Sequence, residues 1–292
     1  MAEPAPLDPV EPRRGPTRIV GPDRRDPAVS AARNAERGAA NWPPPGRPGP
    51  PPPIPVPPGR GGIQQIPRPL DAGPGSPAPW AHLPAGVRRP SVADVATALA
   101  AQGPPRRSAR ELSGLTTRSA AVLAPLYDGT DGEGAVVLLT RRTWSLRSHK
   151  GEVSFPGGRV DQGETTAEAA LREAHEEVAL DPSSVTIIGE LDHLATVVSG
   201  SFIVPLVGAL PGRPDCVANP AEVDAILHVP IAELLDPAIY REERWTFPGG
   251  DERGIYFFEL VGDTLWGATA AMLRQLLGMV TGTLGRGDLG HP

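Results

Sequence analysis

The sequence contains few cysteine, lysine and aromatic residues. Cys216 is the only cysteine among 292 residues, so no disulfide can form within the chain, which suits a reducing compartment and predicts a cytoplasmic protein. Lys150 is the only lysine, whereas arginine occurs 27 times, so arginine counts alone say little about function. Aromatic residues make up only 4% of the chain, but hydrophobic residues make up 39%, which is enough for one core.

A long apolar run is also missing. No segment approaches the roughly 18 residues that a membrane span needs, and the N-terminus lacks the apolar stretch of a secretory signal. Residues 80–292 carry 18 basic against 27 acidic residues, which argues against general nucleic-acid binding. We therefore expect a small-molecule substrate and neither a membrane nor a nucleic-acid partner. The oligomeric state stays open, with a homodimer as one alternative.

The first 79 residues differ from the rest of the chain. They contain 23 of the 38 prolines and 10 arginines against 7 acidic residues, and such a segment cannot bury enough apolar surface to offset its ordering entropy. We predict a disordered Pro/Gly/Arg-rich tail over residues 1–85, followed by one domain over residues 86–285. The tail should be dispensable for catalysis up to about residue 80. Since no methionine lies between Met1 and Met272, a start farther inside would need a non-AUG codon, for example at Val87.

From about residue 90, apolar patterning indicates a folded domain with helices and strands. Ser91 can cap a helix over residues 92–101, and Thr165 with Glu168 forms the capping box of a second helix. A closing helix is expected over residues 265–280. Strand-like segments lie at residues 120–126, 135–139, 153–155, 185–191, 202–210, 225–229 and 253–260. This order predicts an α/β fold with a mixed sheet between helical layers.

Glutamates crowd one face of the helix that follows Thr165. At about 100° per residue, Glu173, Glu176 and Glu177 share one arc, and Glu164 enters from the preceding loop. Like charges at these spacings destabilise a helix by roughly 0.2–0.5 kcal/mol per pair, so the arrangement does not serve helix stability. It suits Mg²⁺ or Mn²⁺, which prefer oxygen ligands. For the helix considered alone, a solvated acidic face is the alternative.

The spacing around this acidic face is more specific than its composition. The fixed positions of the pattern are Gly158, Glu164, Arg172, Glu173, Glu176 and Glu177. A chance match is on the order of 10⁻⁷ per starting position. The pattern resembles the Nudix box, the signature of hydrolases of nucleoside diphosphates linked to another moiety. It departs from that signature at Ala174, where a larger aliphatic residue is usual, and at Ala179, where glycine is usual. We expect a strained turn at Ala179, since glycine eases a left-handed helix end.

The resemblance implies a Nudix-type α/β/α sandwich with a mixed sheet and a diphosphate hydrolase that needs Mg²⁺ or Mn²⁺. The implied metal ligands are Glu173, Glu176, Glu177 and the backbone carbonyl of Gly157. Glu164 and Arg172 match the pair that supports them. A metal of this kind lowers the pKa of a bound water, which then attacks one phosphorus in line. The general base stays open between Glu176 and Glu222.

The segment before the box indicates a substrate. It contains Leu138-Leu139-Thr140-Arg141-Arg142, Leu146-Arg147, His149, Gly151-Glu152 and Phe155-Pro156-Gly157-Gly158. It resembles the extended motif of the coenzyme A diphosphatase subgroup, as does the later Trp266-Gly267-Ala268-Thr269, and the resemblance covers roughly residues 90–280. The candidate substrate contacts are Arg141, Arg142, Arg147, His149, Lys150, Phe155 and Gly158.

Basic side chains in this segment fit such a substrate, because coenzyme A carries about four negative charges and arginine pairs well with phosphate oxygens. Each of them could instead cover the solvent face of a strand, and for His149 we favour structure or substrate positioning over catalysis. The implied products are 3′,5′-ADP and 4′-phosphopantetheine. The alternatives are a Nudix hydrolase of ADP-ribose, NADH or nucleoside triphosphates, and a non-catalytic Nudix module that senses a nucleotide.

Overall fold

The computed structural model describes residues 52, 54–107, 109–112, 119–130, 132–146, 148–195, 202–247 and 250–289. The strands in these residues are β1 (Gly61–Gly62), β2 (Gly73–Pro74), β3 (Ser119–Asp128), β4 (Ala135–Arg142), β5 (Val153–Ser154), β6 (Gly157–Arg159), β7 (Thr186–Glu190), β8 (Leu194–Ala195), β9 (Phe202–Ala209), β10 (Val223–Pro230), β11 (Tyr240–Thr246), β12 (Glu252–Glu259), β13 (Val261–Gly262) and β14 (Thr264–Trp266). The helices are α1 (Val92–Ala101), α2 (Ala109–Leu112), α3 (Thr166–Val178), α4 (Ile231–Leu234) and α5 (Gly267–Thr281).

A mixed sheet of eight strands organises the domain. Its order is β10-β4-β3-β9-β7, with β5 paired to β4, β6 to β3 and β8 to β9. Strands β3 and β9 run parallel, and the other pairs of this sheet run antiparallel. A second sheet has the order β14-β12-β11-β2, and β1 pairs with β13. The expected mixed sheet is confirmed.

Helices cover both faces of the large sheet. Helix α3 packs one face with small residues, because Ala170 and Ala174 are fully buried against Leu123 and Leu138. A second core cluster contains residues of α1, α5 and the second sheet, and Leu99 of α1 belongs to it. The α/β/α sandwich is therefore confirmed. No helix in the described residues is both long and apolar enough to cross a bilayer.

The helix boundaries follow local signals in the sequence. Helix α1 covers the expected residues, with a capping box at Ser91, and helix α3 has its capping box at Thr165. Helix α5 begins at Gly267, later than expected, because residues 264–266 form β14 and pair with β12. Strand β11 was not expected, since its sequence YREERWT alternates poorly between apolar and polar residues.

Residues 54–85, which the sequence assigned to the tail, lie against the domain. Trp80 is fully buried, edge-on to Tyr240 at 5.4 Å between ring centroids and stacked on Phe258 at 6.3 Å. Nε of Arg68 donates to Oε2 of Glu243 at 2.6 Å, and both side chains are buried. One large aromatic anchor and one buried ion pair therefore hold a segment that composition alone marked as tail. Residues 1–51 and 53 lie outside the described residues.

Candidate active site

Helix α3 carries the glutamates at the border between its buried and exposed faces. Alanines on the inner face bring the helix close to the sheet, so Glu177 is only 3% exposed, Glu173 is partly buried and Glu176 is exposed. Strand β6 lies beside Glu173. A Cβ at Gly158 would lie 2.4–2.6 Å from the carboxyl group of Glu173, so glycine is required for this approach.

Glu177 occupies the most buried position of the acidic face. Burial raises its pKa to about 8; Arg142 opposes this rise, and Glu222 and Glu173 add to it. No described residue gives its Oε2 a hydrogen bond, and Nη1 of Arg142 lies 3.7 Å from Oε1. Burial also raises the pKa of Glu173, and its pairing with Arg172 opposes that rise. Two carboxylates are thus partly desolvated side by side, and the more buried one, that of Glu177, receives little compensation from the described residues.

Arg172 holds the acidic cluster in place. Its Nε and Nη2 donate to the two carboxylate oxygens of Glu164 at 2.9 and 3.1 Å, and its Nη2 also donates to the carbonyl of Arg159 at 3.0 Å. Its Nη1 donates to Glu173 at 3.0 Å and to Glu176 at 3.4 Å. The bond to Glu164 contributes most to raising the pKa of Arg172 and to lowering the pKa of Glu164. One guanidinium therefore orients all three carboxylates.

Glu222 approaches the same face from the loop before β10. The N–H of Asn219 donates to the carbonyl of Glu177 at 2.8 Å, and the N–H of Glu222 donates to the carbonyl of Asn219 at 3.0 Å, so this loop is held against the end of α3. The charge of Glu222 also raises the pKa of both Glu173 and Glu177. Its backbone carbonyl accepts from the N–H of Thr143 at 2.9 Å, which ties this loop to the end of β4. The structure thus brings Glu222 to the helix glutamates, although it lies 45 residues after Glu177 in the sequence.

A divalent cation fits these residues. Within the described chain, no three His, Cys, Asp or Glu side chains are already gathered as a metal site. The buried Oε2 of Glu177 nonetheless lacks a hydrogen bond from any described residue, and the carboxyl of Glu173 lies where a Cβ at position 158 would be. An all-oxygen set of carboxylates suits Mg²⁺ or Mn²⁺. The amide of Gly157 lowers the pKa of Glu177, so the backbone expected to complete the site is adjacent to it.

The basic segment is the stretch of sequence from residue 141 to residue 150, which runs from the end of β4 towards β5 and reaches the acidic face at Arg142. Arg142 points to Glu177, while His149 and Lys150 are exposed. His149 has a left-handed backbone with φ of 56°, and its Nδ1 is 2.8 Å from Oε2 of Glu152. That hydrogen bond raises the pKa of His149. Of the described basic side chains in this segment, that of Arg142 is the one that reaches the glutamates. Arg147 lies outside the described residues.

Two expected substrate contacts do not fit the structure. Phe155 is 2% exposed and belongs to the core, because alternation along the chain turns its ring away from solvent. The guanidinium of Arg141 is already paired, with its Nε 3.0 Å from Oδ2 of Asp224 and its Nη1 3.1 Å from Oδ2 of Asp263. Gly158 serves the approach of Glu173 described above. Asp224 and Asp263 were not expected from the sequence, since no local pattern links them to Arg141.

Comparison with known proteins agrees with this geometry. The NUDIX domain family model matches residues 117–248. Over 161 residues the chain is 40% identical to the uncharacterized Nudix hydrolase NudL of Photorhabdus laumondii, covering 54% of this chain and 83% of the relative. NudL of Escherichia coli K12 is 37% identical over 163 residues, which cover 56% of this chain and 82% of the relative. Nudix hydrolase 3 of Caenorhabditis elegans is 36% identical over 185 residues, 58% of this chain and 75% of the relative.

The residues matched by the family model include strands β3 to β11, helix α3 and the acidic face. An active site built on carboxylates along one helix agrees with a hydrolase that acts on diphosphate linkages of nucleotide-like substrates, an activity that in this family generally needs a divalent metal ion. The chain belongs to the Nudix hydrolase family.

Proposed function

We propose that this protein hydrolyses the diphosphate of coenzyme A or of an acyl-coenzyme A, releasing 3′,5′-ADP and 4′-phosphopantetheine or its acyl form. The observation that carries this proposal is that the basic segment, which resembles the motif of coenzyme A diphosphatases, begins beside the acidic face. Arg142 at 3.7 Å from Glu177 marks the point where the two meet. A substrate with two phosphate groups separated by a ribose could contact both.

The basic segment suits the additional 3′-phosphate of coenzyme A. Lys150 and His149 are exposed at the end of the turn, and the bond to Glu152 favours the protonated form of His149. Arg142 stands closer to the acidic face and suits the diphosphate itself, because a guanidinium pairs with two phosphate oxygens. Arg147 is placed in the same segment by sequence alone. We leave Phe155 and Arg141 out of the substrate contacts.

The acidic face would hold the cation through Glu173, Glu176, Glu177 and the carbonyl of Gly157. When bound, such a cation neutralises phosphate charge and activates water. Arg172 and Glu164 keep the ligands oriented. Water oxygen bonds to one phosphorus, the bridging P–O bond breaks, and the proton of the water passes to a carboxylate oxygen of Glu176 or Glu222.

Glu176 and Glu222 can be distinguished as general bases by their metal dependence. If a residue is a general base that does not bind metal, its replacement by glutamine lowers kcat by roughly 10²–10⁴-fold. The metal concentration needed for half activity then stays the same. If a residue is a metal ligand, its replacement changes both kcat and that metal concentration. We expect Glu222→Gln to show the first behaviour and Glu176→Gln the second; the reverse result would assign the base to Glu176.

The proposal is tested by identifying products by mass after incubation with coenzyme A, ADP-ribose and NADH, each with Mg²⁺ and with Mn²⁺. We expect 3′,5′-ADP and 4′-phosphopantetheine, with coenzyme A giving the highest kcat/KM. The variant Glu177→Gln, purified in parallel, controls for contaminating hydrolases. Faster cleavage of ADP-ribose or NADH would reject coenzyme A as the substrate, whereas cleavage of none of the three would reject the whole substrate class.

The role of the 3′-phosphate has its own test. Dephospho-coenzyme A keeps the diphosphate and lacks only that group. Because the basic segment offers cationic donors, we expect coenzyme A to have the higher kcat/KM. The difference should shrink in Lys150→Ala. Equal values for the two substrates would remove the 3′-phosphate role while leaving diphosphate hydrolysis intact.

A further inference from the structure

A second polar cluster links the N-terminal segment to the basic segment. Its centre is Gln64, which is buried. Nε2 of Gln64 donates to the carbonyl oxygen of Gly151 at 3.1 Å and to Oδ1 of Asp263 at 2.6 Å. Its Oε1 accepts from the backbone N–H of Thr264 at 2.9 Å. A buried amide with these three bonds has one favoured orientation, so Gln64 fixes the groups that it contacts.

The backbone around Gln64 is itself anchored. The N–H of Gly61 donates to the carbonyl of Leu260 at 2.8 Å, and the N–H of Gly62 donates to Oγ1 of Thr264 at 3.1 Å. A Cβ at Gly62 would lie 2.6 Å from Cα of Asp263, so glycine permits this close approach. The position of Gln64 is therefore set by strand pairing and does not depend on its own side chain.

Gly151 closes the recognition loop, which we define as residues 143–146 and 148–151. It has φ of 66°, and a Cβ there would lie 2.3–2.6 Å from ring atoms of Trp144. Its N–H donates to the carbonyl of Arg142 at 3.1 Å. The bond from Gln64 to the Gly151 carbonyl thus fixes the peptide that brings the loop back to the end of β4.

Asp263 connects Gln64 to the other end of the loop. It is 2% exposed and accepts from Gln64 at Oδ1, while Nη1 of Arg141 lies 3.1–3.3 Å from both of its oxygens. Arg141 is the residue before Arg142, whose guanidinium faces Glu177. Gln64 therefore contacts the last residue of the recognition loop directly and the end of β4, which precedes the loop, through a single carboxylate.

We propose that Gln64 is a positioning residue that holds the recognition loop in the conformation that binds substrate phosphate. The proposal rests on the proposed use of the basic segment in substrate binding. Gln64 contacts neither the acidic face nor any group that reacts, so its contribution lies in substrate affinity. It also gives residues 54–64 a role in substrate binding by a domain whose sequence pattern begins near residue 90.

The test uses the full chain with Gln64→Glu, an isosteric change that turns both donated bonds into repulsive contacts with acceptors. The matched control is Gln65→Glu, because Gln65 is the exposed neighbour. Two broken hydrogen bonds should raise KM by about tenfold while kcat stays within about twofold. Hydrogen exchange followed by mass spectrometry should be faster in a peptide covering residues 143–155. Both quantities should be unchanged in the control.

Two further variants separate positioning from stability. Gln64→Ala removes the amide without adding a charge, so it must raise KM in the same direction. Arg68→Met removes a buried ion pair of the same segment, whose partner Glu243 lies on β11, and should lower Tm with KM unchanged. An unchanged KM in both Gln64 variants overturns the proposal, even if loop exchange is faster. A KM that rises equally in Arg68→Met also overturns it, because the effect would then follow from general destabilisation.

The kinetic measurements use whichever of coenzyme A, ADP-ribose and NADH is cleaved fastest. Failure to cleave coenzyme A therefore counts against the proposed substrate and not against Gln64. If none of the three is cleaved, the exchange rate of residues 143–155 and the Kd of 3′,5′-ADP are compared between Gln64→Glu and Gln65→Glu. Equal values for the two variants reject the positioning role.

Discussion

Arg142 and Glu177 face each other across the site, with Nη1 of the arginine 3.7 Å from Oε1 of the glutamate. This pair joins the end of β4 to the last turn of α3. Because burial raises the pKa of Glu177 to about 8 and Arg142 opposes that rise, the carboxylate depends on nearby positive charge. Substitutions that change the charge of Arg142 or Glu177 should therefore affect the activity more than they affect the stability of the core.

We expect Glu173→Gln and Glu177→Gln each to remove nearly all turnover while the fold is kept. The loss of a carboxylate that binds metal costs several kcal/mol of transition-state stabilisation. The matched control is Glu168→Gln on the same helix, because glutamine still serves the capping box with Thr165. Steady-state rates at saturating metal and circular dichroism spectra check this. More than half of the wild-type rate in either variant would contradict the assigned site.

Arg172→Lys should lower kcat by roughly 10–100-fold, the range for residues that orient metal ligands. A lysine ammonium cannot form the two-pronged contact with Glu164 while also reaching Glu173. The control is Arg244→Lys, which changes an equally charged pair with Glu252 on the second sheet. Kinetics at several Mn²⁺ concentrations check the result, and equal rates in the two variants would show that the guanidinium geometry is not needed.

Local signals in the sequence were sufficient to predict helix α3 and to predict that its glutamates share one face. The Thr165 capping box, the alanine face and the spacing of Glu173 and Glu177 all lie within one short segment. Glu222 could also be found, since a carboxylate before a strand is visible in the sequence. The left-handed turn at Ala179, with φ of 55°, was predicted because glycine, which favours such a turn, is usual at this position.

Long-range partners could not be found in the same way. Arg241 and Glu243 in β11 are buried because they pair with Glu259 and Arg68, and a single sequence does not reveal that such charges are compensated. Gln64 and Asp263 form their hydrogen bond across 199 residues. The proline-rich composition before residue 80 did not indicate these contacts. Composition describes a segment as a whole, whereas a single buried residue such as Trp80 can hold the segment against the domain.

A chain that begins at residue 86 should be strongly destabilised, whereas one that begins at residue 54 should be as stable and active as the full chain. The shorter chain loses Trp80, whose removal from a core costs about 3–5 kcal/mol. It also leaves Glu243 without the Arg68 partner. Since domains have only about 5–15 kcal/mol of stability, the losses are large. Thermal melts and kcat/KM of both chains check this, and equal melting temperatures would show that residues 54–85 do not hold the domain.

Ala179→Gly should raise the free energy of unfolding by about 1 kcal/mol, because an L residue in the left-handed region is strained and glycine is not. Ala179 ends helix α3 with φ of 55° and ψ of 27°. Activity should be unchanged. The control Ala98→Gly lies inside helix α1 and should lower stability by about 1 kcal/mol. Urea unfolding of both variants measures the difference; a destabilised Ala179→Gly would mean that the alanine methyl makes contacts worth more than the strain.

The contribution of His193 to stability should depend on pH. Its Nδ1 lies 2.6 Å from Oε2 of Glu111 and its Nε2 lies 2.5 Å from Oε1 of Glu190. Burial lowers the pKa of His193, but the bonds to Glu190 and Glu111 outweigh it, so the pKa is raised above its usual 6.5. A raised pKa in the folded state stabilises the fold fully below the unfolded value, and this stabilisation is lost as pH rises through the folded value.

Replacing His193 by glutamine should therefore cost most at about pH 6, by roughly 1–3 kcal/mol for charge-assisted hydrogen bonds. The cost should fall steadily as the pH rises through the raised pKa of the folded imidazole, towards about pH 9. Denaturant unfolding of the wild type and of His193→Gln across this range gives the difference at each pH. His82→Gln, at an exposed histidine, provides the control and should give a small, flat difference. A cost for His193→Gln that stays constant or grows with pH would show that His193 is neutral in the folded protein and that the two glutamates do not hold its proton.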